Sequence, residues 1–598
     1  MRSEDEALDV FRRIRRGADP ESVLRLIENA DVMIDLAMST DTKLRFAFPY
    51  LAAMPRFLLT PSNEYLQSPI YDVSFGDKTS KERSTARKLL GLEETESMPY
   101  FSHIPYFSPY HAASIVDPRL RKIKPSDWTV VSEDDNLMRA MLHHFFMYEY
   151  QWHTSFQKDY FLDDMVSGGR QFCSPLLVNS ILAHASHSAL GLSNRSEFWN
   201  PRTLGYRFMA EAKRLWDMER GNDRLTTVQA GPILYLALAI CGADKIGNSY
   251  LIQSVVMAEN LGLFQSTGCR VKGKEQDARD FTAWAIFCTQ IFNQWYFQDR
   301  PLMDKPPSVP LPDPVENADW YGEIWLRYPS SDKLHPAHFG SVFRSHILLN
   351  MILNDIACNH FSRDDERPGF SIHSLLGYHE KIMQWYGDLP MQLTPSRIVL
   401  PSHLKLHMHY QSTVVRFMRV ADQLQKQPIH SDLDQWMGVR TPQQLLFDAT
   451  VALETLIRLY YIRHSFERMD TFLAQPLAEL SAIRREDIGG EKGLLDTESV
   501  RSTLVLCAQG FRDQGFNHYL GQTLFHLTRS RMRPEDAALV DRCLYAGPQY
   551  QVPFAPVLAH QIYSDWPVDP VSAKEHQRLS AVLSRLDGVV LDSTESTP

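Results

Sequence analysis

The segment NLMRAMLHHFFMYEYQWHTSFQKDYFLDDM, residues 136–165, is dense in aromatic residues and sets the helical reading of the rest of the chain. Leu137, Met141 and Phe145 recur every four residues, with Met138, Leu142 and Phe146 beside them, so a helix here carries one broad apolar stripe. Ser132 to Asp135 predicts its start. The Ser132 hydroxyl can accept from the free amides of the first turn, and Glu133, Asp134 and Asp135 suit the positive end of the helix dipole. After Tyr150 the period fails across QWHTSFQKDY, and a second short helix, YFLDDM, stops at Ser167-Gly168-Gly169. Phe145-Phe146 and Tyr160-Phe161 suit core packing at this spacing, with the lining of a ligand pocket as the alternative. The pattern predicts two packed helices in a buried centre.

The 598 residues are 44% hydrophobic and 22% charged, ordinary globular proportions that allow roughly two to four domains with substantial cores. A formal net charge of −10 opposes nucleic-acid binding by this chain alone, because phosphate neutralisation needs clustered Lys and Arg. Arg12, Arg13, Arg15 and Arg16 do cluster, on a predicted helix; a solvated face is the plain reading, a phosphate or nuclear-import contact the other. The seven cysteines, at 173, 241, 269, 288, 358, 507 and 543, are dispersed, which argues for a reducing compartment and single buried thiols. The first thirty residues lack the apolar run of a signal peptide, and the longest apolar run, Pro232 to Cys241, is ten residues, too short to span a bilayer. No membrane partner is expected.

Punctuation along the chain predicts further helices. Ser174-Pro175 opens one running to Leu190; others are read over Thr203–Arg220, Val228–Cys241, Asp244–Gly262 and Glu275–Gln298. Val228–Cys241 is apolar nearly all round and therefore central. Six prolines among the sixteen residues from Asp299 to Pro314 enforce an extended crossing. Later helices are read over Phe339–Phe361, Ser371–Gly387, Leu404–Lys426, Pro442–Met469, Thr497–Phe511 and Pro534–Tyr545. β-branched alternation is nearly absent, so the expected fold is all-α, a large multi-helix body of stacked antiparallel helices with few or no strands. The expected organisation is a small N-terminal helical segment at 1–75, a charged linker at 76–100, a main helical domain at 101–430, a C-terminal helical region packed on it at 431–588, and a disordered tail at 589–598.

Residue chemistry offers no active site. A nucleophile elbow, a phosphate loop, a dinucleotide fingerprint and a zinc-protease helix are all missing, and Gly489-Gly490-Glu491-Lys492-Gly493 lacks the spacing and hydroxyl of a phosphate loop, so it reads as a turn. His184 and His187 sit three apart, and His403, His407 and His409 include an i, i+4 pair that could reach one metal. Neither group has a carboxylate or thiolate at the spacing that would complete a site, so hydrogen-bonded core histidines are the expectation. No catalytic, cofactor-binding or metal residue is assigned, and an enzyme is not expected.

Several separated motifs carry a resemblance. ALDVFRRIRRGADPESVLRLI near the start, PYHAASIVDPRLRKIKPSDWTVV before the aromatic segment, the helix of Trp284 followed by Asp299-Arg300-Pro301, and Val309-Pro310-Leu311-Pro312 stand in order. Trp385 with Leu389-Pro390 and then LKLHMHYQSTVVRF follow. In this order, over most of residues 1–430, the chain resembles the middle homology region of the fungal zinc binuclear-cluster transcription factors, with Asp299 where the family usually has glycine. The resemblance makes Trp284, Arg300, Pro301, Pro310, Pro312, Trp385 and Pro390 family-motif residues with structural roles.

The family reads DNA with six cysteines that hold two zinc ions, and this sequence has no Cys-x-x-Cys pair, so no zinc cofactor and no DNA-binding residue is assigned to this chain. The resemblance implies a nuclear regulatory domain that responds to a small-molecule effector and to transcription machinery or other regulators; the long helices could contribute to a homodimer, though no sustained heptad seam is visible. DNA would be reached only through an N-terminal module preceding this sequence, whose absence reflects either a start read too far downstream or a natural relative lacking the cluster. A helical scaffold that binds partner proteins without direct DNA contact is the rival reading.

Overall fold

The computed structural model describes residues 48–75, 114–189, 191–192, 194–266, 273–327, 334–361, 370–425, 440–489, 495–544, 562–567 and 578–581. In chain order the helices are α1 (Pro69–Phe75), α2 (Arg119–Lys122), α3 (Asp135–His144), α4 (Lys158–Ser167), α5 (Pro175–Ala185), α6 (Leu204–Glu219), α7 (Leu225–Ala239), α8 (Asp244–Asn260) and α9 (Lys274–Phe297). They continue as α10 (Ala318–Tyr321), α11 (Phe339–His360), α12 (Ile372–Gly387), α13 (Pro401–Gln425), α14 (Pro442–His464), α15 (Ala474–Gly489), α16 (Thr497–Gly515), α17 (Tyr519–Ser530) and α18 (Pro534–Leu544). One small antiparallel sheet joins β1 (Ser114–Ile115), β2 (Trp325–Arg327) and β3 (His335–Pro336), with Ser114 opposite Arg327 and Leu326 opposite His335. The body is thus mostly helical, as expected. The Arg12–Arg16 cluster, the 76–100 linker, Gly490-Glu491-Lys492-Gly493 and the 589–598 tail lie outside the described residues.

Local chemistry sets most helix ends. Ser174 accepts from the Leu177 amide at 3.2 Å with Pro175 at the first helical position, and Thr441 with Gln444 closes a reciprocal capping box ahead of Pro442. Gly168 ends α4 at φ 79°, a conformation that costs a glycine nothing. Three expectations change. The cap of α3 is Asp134, whose carboxylate accepts from the Leu137 amide at 3.0 Å, while Ser132 accepts from Asp134 outside the helix. α5 stops at Ala185, because Ser186 and Ser188 donate to the Ala183 and Ala185 carbonyls and tighten the chain into a 3₁₀ turn. α14 stops at His464, where Ser465 turns to φ 64°.

The helices pack as consecutive neighbours: α5 on α6 and α7, α7 on α8, α9 on α11, α13 on α14, and α15 on α16, which meets α17. α7 is buried around its whole circumference from Thr226 to Ala239, as its uniform apolarity predicts. It meets α8 so closely at Gly231 that an added Cβ would lie 1.8 Å from Ser254 Oγ. One large hydrophobic core draws on residues from Phe48 to Leu579, and two smaller clusters gather around Tyr235 and around Ile240. Residues 48–67 belong to it: the Asn63 amide donates to Thr455 Oγ1 at 2.8 Å and the Tyr65 hydroxyl meets His407 Nδ1 at 3.0 Å.

Candidate functional site

The aromatic segment does not run straight into solvent-facing chain after α3. Phe145–Glu149 winds as a π-helical turn in which the Tyr150 amide donates to the Phe145 carbonyl at 2.8 Å, a bulge often found where a helix presents functional groups. The chain then folds back on itself. The Trp152 and His153 amides both donate to the Glu149 carbonyl, at 3.0 and 2.8 Å, the Tyr150 hydroxyl donates to the Phe156 carbonyl at 2.8 Å, and Thr154 Oγ1 donates to the Tyr150 carbonyl at 2.8 Å. These bonds replace the helical ladder, which is why the apolar period fails there, and they leave Trp152 and His153 buried.

Beside this fold-back lies a buried polar cluster whose charges are paired. Glu149 accepts from His184 Nε2 at 3.1 Å and from the Thr471 amide and hydroxyl at 3.1 and 2.7 Å. Burial works to raise its pKa, but the hydrogen bond from His184 and the charge of Lys405 hold it low. Lys405 Nζ lies 2.7 Å from Asp470 and donates to the Tyr148 carbonyl at 3.0 Å, and Tyr460 donates to the same Asp470 oxygen at 2.6 Å. Every charge here has an opposite charge or a donor. The cluster ties α3, α5, α13 and α14 together.

A second buried cluster, one layer away, is not satisfied. Trp152 stacks on His346 of α11 with ring centroids 4.2 Å apart, and His409 of α13 stands edge-on to both, at 5.9 and 5.6 Å. Phe292 and Tyr296 of α9 and Phe472 ahead of α15 complete the surround, Phe292 lying 5.3 Å from His409 and Phe472 4.9 Å from Trp152. His153 faces Phe292 at 5.8 Å. Arg416, one helical layer further along α13, sits 4.6 Å above the Tyr296 ring, donates to the Trp295 carbonyl at 3.3 Å, and places Nε 3.7 Å from Glu479. Yet Trp152 Nε1, His153 Nε2, His346 Nε2, both ring nitrogens of His409 and Arg416 Nη2 are buried with no hydrogen-bond partner.

The electrostatics follow from burial. His409 is pushed down to about 3 by burial and then by the Arg416 charge, His153 to about 3 by burial against the pull of Glu149, and His346 well below the usual imidazole range by burial and its histidine neighbours. Each is therefore a neutral imidazole at pH 7, with one N–H to give and one lone pair to receive. The arrangement is an aromatic cluster that holds several unpartnered ring nitrogens. No group of three or more His, Cys, Asp or Glu side chains among the described residues is arranged to hold a metal ion.

The residues singled out from sequence divide cleanly. His184 bonds Glu149, His187 Nδ1 lies 3.1 Å from the Asn517 carbonyl, His403 Nε2 lies 3.2 Å from that of Ala337, and His407 Nε2 lies 2.7 Å from that of Leu393. All four are hydrogen-bonded core histidines. Only His409 of that set joins the second cluster. Phe145, Phe146 and Phe161 pack on Phe156 in the core, while Tyr160 lies half-buried against Phe172 with Lys274 above it.

The family-motif residues do not gather at one place. Trp284 Nε1 donates to the Pro310 carbonyl at 3.0 Å and Trp385 Nε1 to that of Ser345 at 3.0 Å. The Pro312 carbonyl accepts from Tyr321 at 2.6 Å, Pro390 opens a 3₁₀ turn, Pro301 is buried, and Arg300 pairs with Asp304 at the surface. Trp152 lies in the aromatic segment and Arg416 in the LKLHMHYQSTVVRF stretch, but neither was singled out, and His346 and Phe472 lie in no quoted motif. The available signal was the polar interruption QWHTS inside an aromatic run.

Residues 142–387 match the family described as fungal specific transcription factor domain. The nitrogen assimilation transcription factor nirA of Emericella nidulans is 29% identical over 356 residues, 57% of this chain and 39% of the relative. The notoamide biosynthesis transcriptional activator notL' of Aspergillus versicolor is 28% identical over 311 residues, 49% of this chain and 47% of the relative. The nitrogen assimilation transcription factor nit-4 of Neurospora crassa is 26% identical over 447 residues, 70% of this chain and 39% of the relative. The chain thus spans less than half the length of these curated relatives. No solved structure matches. The motif-bearing helices α9 to α12 and the fold-back at Trp152 all fall within residues 142–387, the span that is similar to the fungal specific transcription factor domain family.

Proposed function

We propose that this chain is the regulatory body of a transcription regulator, working in the nucleus and controlled by a small-molecule effector taken into the helical core. The family match over residues 142–387, with relatives named as transcription factors and a transcriptional activator, supports the regulatory part of this reading. The unsatisfied cluster around His409 supports the effector part, because a buried polar group left without a partner costs about 1–3 kcal/mol, which a ligand can recover. Contact with an operator would run through a module other than these residues, since the sequence has no Cys-x-x-Cys pair and is net acidic. Partners are then transcription machinery or other regulators, and the helical surface is the natural seat for self-association.

The test joins residues 1–598 to an unrelated DNA-binding module and reads a reporter that carries the module's operator in a fungal host. The expected result is reporter output several-fold away from the module alone, changing with growth medium. Output equal to the module alone in every medium overturns the reading. Sedimentation of the purified chain checks self-association.

A further inference from the structure

α8 turns one face to the core and the other to solvent. Leu251, Ser254, Val255 and Ala258 are buried, Ser254 directly against Gly231 of α7. On the opposite side Ile246, Ile252 and Val256 are 47%, 41% and 49% exposed. Among the described residues no other helix exposes three large hydrophobic side chains. All three are β-branched, a type that lowers helix propensity and is favoured in a helix only where it packs. The face suits a partner better than water.

Spacing and charge say which partner. Lys245, Ser249, Ile252, Val256 and Glu259 follow one another at steps of four, three, four and three, a short coiled-coil seam. Ile252 stands at its centre, seven residues from the cation at one end and seven from the carboxylate at the other. Such a seam complements itself when a second α8 is laid across it antiparallel. Ile252 then meets its own copy on a two-fold axis, Ser249 meets Val256, and each Lys245 meets the Glu259 of the other chain. A parallel copy would set lysine against lysine and glutamate against glutamate. The ends are open to the antiparallel arrangement. Glu259 is exposed, and Lys245 has Asp565 2.9 Å away with both side chains more than a third exposed, which leaves two of its three N–H groups free to reach a second carboxylate. Tyr563, whose carbonyl accepts from the Lys245 amide at 3.1 Å, is exposed and adds apolar area at that end.

Resting on the self-association named above, we infer that the exposed face of α8 is a homodimer interface, in which two copies of this chain pair their α8 helices antiparallel about an axis at Ile252. One such helix pair is about 25 Å long and covers less than a standard interface, so the dimer forms in the micromolar range and depends on concentration. Pairing brings whatever is joined to each chain into one particle, where the second copy acts at raised effective concentration.

Sedimentation equilibrium of the purified full chain from about 1 to 100 µM is expected to show monomer in exchange with dimer. Ile252→Lys sets two like charges on the axis and Val256→Lys puts a charge in the seam; each is expected to weaken the dimer by about tenfold or more. Neither side chain is buried, so the Tm of the dilute monomer stays within about 1 °C of wild type. Lys245→Glu and Glu259→Lys each turn two attractions into two repulsions and weaken the dimer several-fold, whereas an equimolar mixture of these two variants recovers it, because every end pair is again opposite in charge. With an added oxidant, Ile252→Cys is expected to give a crosslinked dimer beyond anything the native cysteines give, and Glu259→Cys is not, since the two copies of residue 259 stand about 21 Å apart. A wild-type chain that stays monomeric at about 100 µM overturns the inference and the self-association with it. A dimer unweakened in both lysine variants, no recovery in the mixture, or equal crosslinking of the two cysteine variants overturns the inference alone and leaves self-association to another surface. Reporter output reads the regulatory function independently of each of these results.

Discussion

Glu454→Gln should cost this protein a large share of its stability. Glu454 is fully buried on α14, with Arg458 Nε 3.0 Å from one carboxylate oxygen and Arg484 Nε 2.9 Å from the other, and Thr503 donates to it as well. Phe48 and Phe57 lie over the two guanidinium groups at 4.8 and 4.9 Å, so residues 48–67 roof the triad. With glutamine in place, Arg484 keeps Asp487 at 2.7 Å, but Arg458 keeps only hydroxyls and a ring face. An arginine buried without its counter-charge costs about 3–5 kcal/mol. For a chain of this size that corresponds to a fall in Tm of about 2–5 °C.

The pH dependence gives the reasoning a second check. Burial works to raise the Glu454 pKa, but Arg484 and Arg458 outweigh it and hold it below the ordinary carboxylate range. A carboxylate depressed in the folded state contributes stability that is present above its unfolded pKa, about 4.5, and is lost as pH falls through the folded value. The gap between wild type and Glu454→Gln should therefore stay constant from pH 7 to about pH 5 and close only below that. Differential scanning calorimetry across this range is the assay. A Tm for Glu454→Gln within about 1 °C of wild type at pH 7, or a gap that closes between pH 7 and 6, would refute the ion-pair account.

Three further outcomes follow. Burial, acting first on each, pushes His153, His403, His409 and His518 down to about 3, and His187 and His407 to about 4. The unfolded chain then takes up protons that the folded chain refuses, so stability falls from about pH 6.5 downward at about 1.4 kcal/mol per pH unit for each such histidine; a Tm that stays flat from pH 7 to 5 contradicts this. Lys405→Met strands Asp470, whose pKa burial already raises against the pull of Lys405, and should cost about 3–5 kcal/mol in urea unfolding, with Lys405→Met/Asp470→Asn recovering part of it. Gly231→Ala drives a methyl into Ser254 Oγ and the Tyr250 carbonyl and should cost about 1–3 kcal/mol or more, whereas Gly377→Ala, with nothing within 4 Å, should gain about 0.5–1 kcal/mol; equal Tm changes for the two would contradict the packing of α7 on α8.

How much the sequence disclosed depended on whether a signal was local. Ser174-Pro175, Thr441-Pro442 and Gly168 announce helix ends through their own side chains or φ, and those ends are where the pattern put them. α17 went unread because its cap is an imidazole, His518 Nδ1 accepting from the Gly521 amide at 3.1 Å, outside the usual set of capping residues. α15 went unread because it is buried on nearly every side from Ala474 to Arg484, so no single apolar stripe marks it. The cluster around His409 was illegible for a related reason. Trp152, His346, His409 and Phe472 come from four separated stretches, and a neutral histidine with two unused nitrogens looks, in sequence, the same as His403 with its carbonyl.

The span shared with the family is not where the core ends. Glu149, Trp152 and His346 lie within residues 142–387, yet the groups that complete their surroundings lie beyond it. Thr471 bonds Glu149, Lys405 donates to the Tyr148 carbonyl, Phe472 packs on Trp152, and His409 stands between Trp152 and His346. A fragment cut at Gly387 would expose the apolar faces of α9 and α11 and leave the Glu149 carboxylate with one of its two donor residues. α13 to α15 are therefore as much a part of the folded body as the family span itself.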